Sequence, residues 1–212
     1  QQPIKQLSQL SELVNVIVFE PRDVLLFSDV PRTRRRFLDV SLSKHSKNYL
    51  QHISRYEKIL EERNNILKNE HIDKIHLEII TKTLVENAKK IDTYRIEYIG
   101  KINKILSRLV KTIKGETTQA EVIYQPFVLI NNEYEVNALE AFNRSLESDI
   151  RRKTTQVGPH REDFYVTLNG RNVAQYGSQG ENRLTALALK LTPYFLIEDE
   201  NKKPIVVLDD VL

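Results

Sequence analysis

Hydrophobic and polar positions form a different pattern in each of three segments of the chain, and each pattern predicts the secondary structure of its segment. In residues 1–30, the run from Val14 to Phe19 is apolar and β-branched, and Pro21 follows it, so this stretch predicts a buried strand and a turn. In residues 31–115, apolar positions recur at helical spacing. In residues 116–212, short apolar runs alternate with turn residues. We therefore expect α/β structure at both ends of the chain and helices in the middle.

The middle segment contains two helical patterns, separated by a polar break at residues 69–73. After the break, apolar residues fall seven apart, in the series Leu77, Leu84, Ile91, Tyr98 and Ile105. A heptad pattern sustained over four repeats predicts a coiled-coil-like seam. A helix over residues 73–113 has a length of about 60 Å at 1.5 Å per residue. Two long helices with a short break between them predict an antiparallel arm.

The last segment predicts a mixture of strands and helices. Glu121 to Ile130 is typical of extended chain interrupted by Pro126, and Asn169-Gly170 is typical of a hairpin turn. Leu184 to Ile197 predicts a helix, and Ile205 to Leu208 predicts a fully buried strand of a parallel sheet. A further helix has an apolar face made of Leu139, Phe142, Leu146 and Ile150.

Composition excludes several classes of protein. Cysteine is absent, which excludes disulfides and thiolate metal sites. No stretch approaches the roughly 20 apolar residues of a membrane helix, and no signal peptide opens the chain, so we expect no membrane partner and a cytoplasmic location. The chain begins with Gln1, contains no methionine and stops just after a strand-like run. We therefore expect it to be a fragment.

Positive charge is concentrated in the middle segment. The net charge is +10 over residues 31–115, against −2 before it and −5 after it. A concentrated positive field favours a polyanion such as nucleic acid, and a solvated, lysine-rich helical surface is the alternative. Two sets of basic residues are candidates for DNA binding. The first set is a stripe on one helix face, Lys101, Lys104, Arg108 and Lys111, and the second set is Arg151, Arg152, Lys153 and Arg161.

Two motifs suggest nucleotide chemistry. Ser178-Gln179-Gly180-Glu181 opens a predicted helix, where it forms either a simple capping box or an anion site that a triphosphate can occupy. Asp209 and Asp210 follow the predicted strand Ile205 to Leu208. In nucleotide hydrolases the first acid of such a strand holds Mg²⁺ and the next residue can orient the attacking water, which are the roles that Asp209 and Asp210 fit.

The third motif is the hexapeptide Gly158-Pro159-His160-Arg161-Glu162-Asp163. Its Gly-Pro pair makes a turn, and its histidine and arginine are possible donors to a phosphate or a carboxylate. The alternative is a turn held by salt bridges to Glu162 or Asp163.

The order and spacing of these motifs closely resemble the RecF family. The resemblance rests on the hexapeptide, on the stretch from Ser178 to Leu191 and on the terminal Val207-Leu208-Asp209-Asp210. Upstream, the stretches 18–23 and 34–39 also look like that family's pattern.

This resemblance implies a bacterial DNA replication and repair protein with an ABC/SMC-like ATPase head and a helical arm. Residues 1–30 then end an N-terminal ATPase lobe, residues 31–115 form the arm, and residues 116–212 form the C-terminal part of the head. Ser178, Gln179 and Gly180 become the signature motif, which contacts ATP held by a second copy in a homodimer. Asp209, which binds Mg²⁺, and the catalytic Asp210 become the Walker B motif.

The resemblance also implies partners. Family members bind DNA at gaps and at single-strand/double-strand junctions, and act with RecO and RecR to load RecA. The family's phosphate loop, G-x-x-x-x-G-K-[ST], does not occur in this sequence, and we expect it upstream of Gln1. The fragment is therefore expected not to hydrolyse ATP unaided, and the intact protein is expected to be a weak ATPase. Two alternatives are the ATPase head of a chromosome-maintenance SMC protein and a non-enzymatic helical module that binds DNA or protein.

Overall fold

A computed structural model describes residues 16–209 of the chain. In chain order the helices are α1 (Pro31–His45), α2 (Lys47–Lys68), α3 (Lys74–Lys114), α4 (Tyr134–Arg152), α5 (Val173–Tyr176) and α6 (Gln179–Phe195). The strands are β1 (Val16–Phe19), β2 (Ala120–Gln125), β3 (Asp163–Leu168), β4 (Arg171–Asn172) and β5 (Ile205–Leu208). Short 3₁₀ turns span Pro21–Leu26, Pro159–Arg161 and Glu200–Lys202. Between residues 16 and 209, no helix is long and apolar enough to cross a membrane.

The chain forms two compact units. Within the described residues, the first comprises 16–29, 100–123 and 165–209, and the second comprises 30–99 and 124–164. Helix α3 and strands β2 and β3 contribute residues to both units.

The second unit is built on an antiparallel pair of helices, as the two long helical patterns with a short break between them predict. The break predicted at residues 69–73 separates α2 from α3. Near one end of the pair the rings of Tyr49 and Tyr94 meet edge-on, with 5.9 Å between their centres. Near the other end Arg63 donates a hydrogen bond to the Thr81 hydroxyl. The heptad residues Leu84 and Ile91 are completely buried, so the seam forms the core of this unit.

The first unit contains a parallel pair of strands, β1 and β5, which align Val16 with Ile205 and Phe19 with Leu208. The second sheet has the order β2-β3-β4, and Asn169 and Gly170 close its hairpin with φ angles of 48° and 76°. Positive φ at both central residues is the signature of a type I′ turn, which confirms the predicted hairpin.

Three expectations about burial are wrong. Strand β1 is not fully buried, because Val16 and Val18 are 36% and 37% exposed, although Phe19 is completely buried. Strand β5 is not buried, because Ile205 and Val207 are 59% and 44% exposed. In the part of the chain that the structure describes, β1 and β5 form a sheet of two strands, so their apolar faces lack the layers that cover larger parallel sheets. Ile150, assigned to the apolar face of α4, is 40% exposed, whereas Tyr134, Ala138 and Phe142 carry the buried face.

Candidate functional site

The N-terminus of α6 carries the proposed signature residues, and its geometry is that of a complete capping box. Ser178 is the N-cap, and its hydroxyl oxygen accepts a hydrogen bond from the Glu181 N–H at 3.3 Å. In return, Glu181 Oε2 accepts from the Ser178 N–H at 2.9 Å and from the Ser178 hydroxyl at 3.0 Å. The two bonds that involve backbone N–H groups explain why the helix begins here, because they satisfy donors that a helix end otherwise leaves without a partner.

Glu181 also binds a residue from the end of the long helix. Its Oε1 accepts from Lys114 Nζ at 2.8 Å, and each of the two side chains is about one-third exposed. The hydrogen bond from Lys114, and then those from Ser178, lower the pKa of Glu181 to about 2. Glu181 is therefore a carboxylate at every physiological pH.

The rest of the signature segment faces open space. Ser178, Gln179 and Gly180 are exposed. A Cβ added to Gly180 meets no atom within 4 Å, so the first turn of α6 has room in front of it for another molecule. A helix N-terminus with an exposed hydroxyl and an uncovered glycine fits a phosphate group, because its backbone N–H groups point outwards and its dipole favours negative charge.

Asp209 lies at the carboxyl end of the parallel strands, where the sequence predicts it. Its N–H donates to the Phe19 carbonyl oxygen at 2.9 Å, which continues the β1–β5 ladder, and its side chain is exposed. An exposed carboxylate at this edge fits Mg²⁺, which commonly uses one or two protein carboxylates together with phosphate oxygens and water. Asp210, the predicted catalytic residue, lies outside the described residues.

The hexapeptide 158–163 points into the second unit, and the structure corrects the idea that its histidine serves a phosphate. His160 Nδ1 accepts from the Tyr56 hydroxyl at 2.7 Å, and Nε2 faces the Thr155 carbonyl oxygen at 3.1 Å. Burial lowers the pKa of His160 to about 4, so the ring is neutral, with its proton on Nε2. Gly158 is required beneath it, because its φ is 122° and an added Cβ meets the Tyr56 hydroxyl at 2.6 Å.

The predicted salt bridge to this turn is present, and the arginines that hold the turn are far away in the sequence. Arg34 binds Asp163 with two hydrogen bonds of 2.7 and 2.8 Å, and Arg35 donates to the Glu162 carbonyl oxygen at 2.7 Å. The family-like stretch 34–39 therefore packs directly on the hexapeptide, and the two form one structural cluster.

A fully buried arginine completes this cluster. Arg95 pairs with Asp39 at 2.8 Å and with Glu162 at 3.0 Å, and it also donates to the Pro159 carbonyl oxygen at 2.9 Å. Burial, followed by the nearby charge of Glu162, raises the pKa of Asp92 well above its usual value. Removing one partner from such a network leaves an uncompensated buried charge, so these residues stabilise the arm only as a set.

The DNA-binding candidates lie on the surface. Lys101, Lys104 and Arg108 are exposed and Lys111 is half-buried, on the side of α3 opposite Leu106 and Val110. The Arg108 guanidinium lies 5.8 Å from the centre of the Phe195 ring, at the last residue of α6. In the second unit Arg151, Arg152 and Arg161 are exposed, and Arg161 donates to the Thr155 carbonyl oxygen at 3.3 Å.

Sequence reasoning missed Lys114 and Arg95. Lys114 lies three residues beyond Lys111, at the end of the basic stripe, and the sequence does not show that it reaches Glu181. Arg95 lies between the heptad positions Ile91 and Tyr98, where a charged residue is ordinarily solvated. Its burial depends on acids from two other segments, Asp39 and Glu162.

Comparison with known proteins identifies relatives over nearly the whole chain. No family model matches. The DNA replication and repair protein RecF of Lachnoclostridium phytofermentans is 37% identical over 214 residues, covering 99% of this chain. RecF of Bacillus thuringiensis is 35% identical over 218 residues, covering 98% of this chain. This chain spans 58% of the length of each of these relatives.

Two solved structures of the recombination mediator protein RecF, described as RecF-ATPrS and RecF-ATP in the RecFOR pathway, match with TM-scores of 0.85 and 0.88. Both are 32% identical to this chain, and the matches cover 98% and 99% of it. Each match covers 58% of the solved chain. The α/β fold with a helical arm is thereby confirmed. The resemblance to the RecF family is also confirmed: over nearly its whole length this chain is homologous to RecF proteins and shares their ABC/SMC-like fold.

Proposed function

We propose that this chain belongs to a DNA repair ATPase of RecF type and that the N-terminus of α6 supplies the signature half of an ATP site shared by two subunits. The observation that carries the proposal is the uncovered first turn of α6. Ser178 and Gly180 are exposed, and no atom beyond the backbone of α6 and the residues next to Gly180 lies within 4 Å of the position of a Gly180 Cβ. One of the solved relatives, described as RecF-ATP, supports ATP as the ligand.

The chemistry follows from these groups. The first backbone N–H groups of α6 bind a terminal phosphate held by the partner subunit, since a helix N-terminus favours anions. For the Ser178 hydroxyl to join them, it has to turn towards the phosphate the proton that it donates to Glu181 Oε2 in this structure. Asp209 would hold Mg²⁺ in this subunit's own site, where the metal would neutralise phosphate charge, and Asp210 would orient the attacking water. ATP thus joins two subunits into a dimer, and hydrolysis releases them.

In the same proposal, the basic surfaces bind DNA at gaps and junctions, and the protein acts with RecO and RecR to load RecA. Both solved relatives are described as acting in the RecFOR pathway, which supports this wider assignment. A non-enzymatic helical module is the competing function, and it predicts no nucleotide-dependent change in the protein.

The most informative test is Gly180→Asp. An acid in the first helical turn stabilises a helix, typically by about 0.3–1 kcal/mol, and the site has room for the side chain, so the variant folds normally. The new carboxylate nevertheless occupies and repels the phosphate site. We expect sedimentation velocity of the full-length variant to show no ATP-dependent dimer. Ser178→Arg, which fills the same space with a bulky side chain, is expected to give the same result.

Gly100→Asp is the matched control. Gly100 lies on α3, and a Cβ there also meets no atom within 4 Å, but it is remote in sequence from the signature segment. We expect this variant to dimerise with ATP as the parent does. If Gly180→Asp retains the parental dimer fraction, the signature assignment is wrong.

A further inference from the structure

The carboxylate of Glu181 creates an electrostatic problem for the proposed ATP site. Its Oε2 lies 3.0 Å from the Ser178 hydroxyl oxygen, the group that the proposed function offers to a phosphate. With its pKa lowered to about 2, the side chain carries a full negative charge. Like charges this close to each other repel, and an incoming triphosphate would meet that repulsion.

The structure contains a neutralising group. Lys114 Nζ lies 2.8 Å from Glu181 Oε1, the oxygen that does not face Ser178. One carboxylate therefore bridges the lysine and the serine, and the lysine restrains the rotamer in which Oε2 receives the Ser178 N–H and hydroxyl.

We propose that Lys114, the last residue of α3, is a positioning residue for the signature motif: it holds and neutralises Glu181 so that the exposed first turn of α6 can bind a phosphate. This inference rests on the proposed function. It deepens it, because the helix that carries the basic stripe then also controls the affinity of the ATP site.

A second contact supports the same link. Arg108 lies six residues before Lys114 on α3, and its guanidinium carbon is 5.8 Å from the centre of the Phe195 ring. Lys114 contacts the first turn of α6 and Arg108 contacts its last residue. Helix α3 therefore contacts both ends of the signature helix, through Lys114 at Glu181 and through Arg108 at Phe195.

The test compares four full-length proteins: the parent, Lys114→Met, Glu181→Gln and the double variant. The readout is the ATP concentration that gives half-maximal dimer in sedimentation. Lys114→Met is expected to raise this concentration about two- to fivefold, the range that an exposed ion pair of about 0.5–1 kcal/mol supports. Glu181→Gln is expected to lower it, because glutamine keeps the capping box without the charge. In the double variant, Lys114→Met is expected to add nothing to the effect of Glu181→Gln.

Two controls separate positioning from a general loss of structure. Lys114→Arg keeps the charge and should restore parental ATP dependence. Lys82→Met breaks a comparable exposed ion pair on the same helix, with Glu78 at 2.7 Å, and should change nothing. The inference is overturned if Lys114→Met behaves like the parent, or if it weakens dimerisation equally with and without Glu181→Gln. Failure of Gly180→Asp to block dimers would instead overturn the proposed function, so the two failures are distinguishable.

Discussion

His160 provides a sharp test of how the arm is stabilised. The ring is neutral in the folded protein, because burial lowers its pKa to about 4 and both ring nitrogens are engaged, by the Tyr56 hydroxyl and the Thr155 carbonyl oxygen. In the unfolded chain a histidine has a pKa of about 6.5. Between these two values the unfolded state binds more protons than the folded state, so acid favours unfolding.

The magnitude follows from the two pKa values. The stabilisation is fully present above pH 6.5 and is lost as the pH falls towards 4, since the folded pKa is the lower one. For a single site with these values, moving from pH 7 to pH 5 lowers the free energy of unfolding by about 2 kcal/mol. Asp92 acts in the opposite direction, because its raised pKa makes the folded state bind the extra proton. The total pH profile therefore mixes the two groups, whereas the difference between two variants isolates one.

The assay is urea unfolding, followed by circular dichroism, at pH 7 and pH 5. In His160→Gln the amide does not titrate, so we expect the pH-dependent loss to be about 2 kcal/mol smaller than in the parent. His71→Gln replaces an exposed histidine and should leave the parental difference unchanged. If His160→Gln loses as much stability as the parent between these pH values, the ring is not held neutral by burial.

Two further predictions concern the proposed chemistry. The double variant Lys104→Glu, Arg108→Glu should weaken DNA binding across sequences and reduce the slope of log affinity against log salt concentration by about 2, with little change in stability. The matched charge reversal of Arg151 and Arg152 tests the competing surface. If the slope of the Lys104/Arg108 variant is unchanged, the basic stripe on α3 does not contact DNA. Asp209→Asn should weaken Mg²⁺-dependent ATP hydrolysis by the full-length protein, because it removes a negative charge beside the metal. Steady-state turnover is measured at increasing Mg²⁺ concentrations. Turnover equal to that of the parent at every concentration would exclude Asp209 as a ligand.

Periodic features of the fold could be predicted from sequence because their causes are local. The break between α2 and α3, the buried heptad positions Leu84 and Ile91 and the Asn169-Gly170 hairpin each depend on residues a few positions apart. The capping box at Ser178 belongs to the same class, since its partner is three residues away.

Contacts between distant segments could not be predicted in the same way. The bond from Arg34 to Asp163 joins residues 129 positions apart, and Lys114 reaches Glu181 across 67 positions. The exposure of β5 was missed for a related reason. An apolar run predicts that a strand can be buried, but burial requires neighbouring layers, which a short pattern does not specify.

The direction in which each motif faces decides which substitutions can report on function. The hexapeptide turns its His160 and Glu162 into the second unit, where they bind Tyr56 and Arg95, so changing them alters stability first. Lost activity in such variants therefore does not by itself report on the proposed ATP or DNA sites. Gly180 faces open space, and an added side chain there disturbs no neighbour in the chain. A loss of ATP-dependent dimers in a Gly180 variant with parental stability therefore has to arise from the molecule that approaches this turn, which makes α6 the decisive place to test the proposed function.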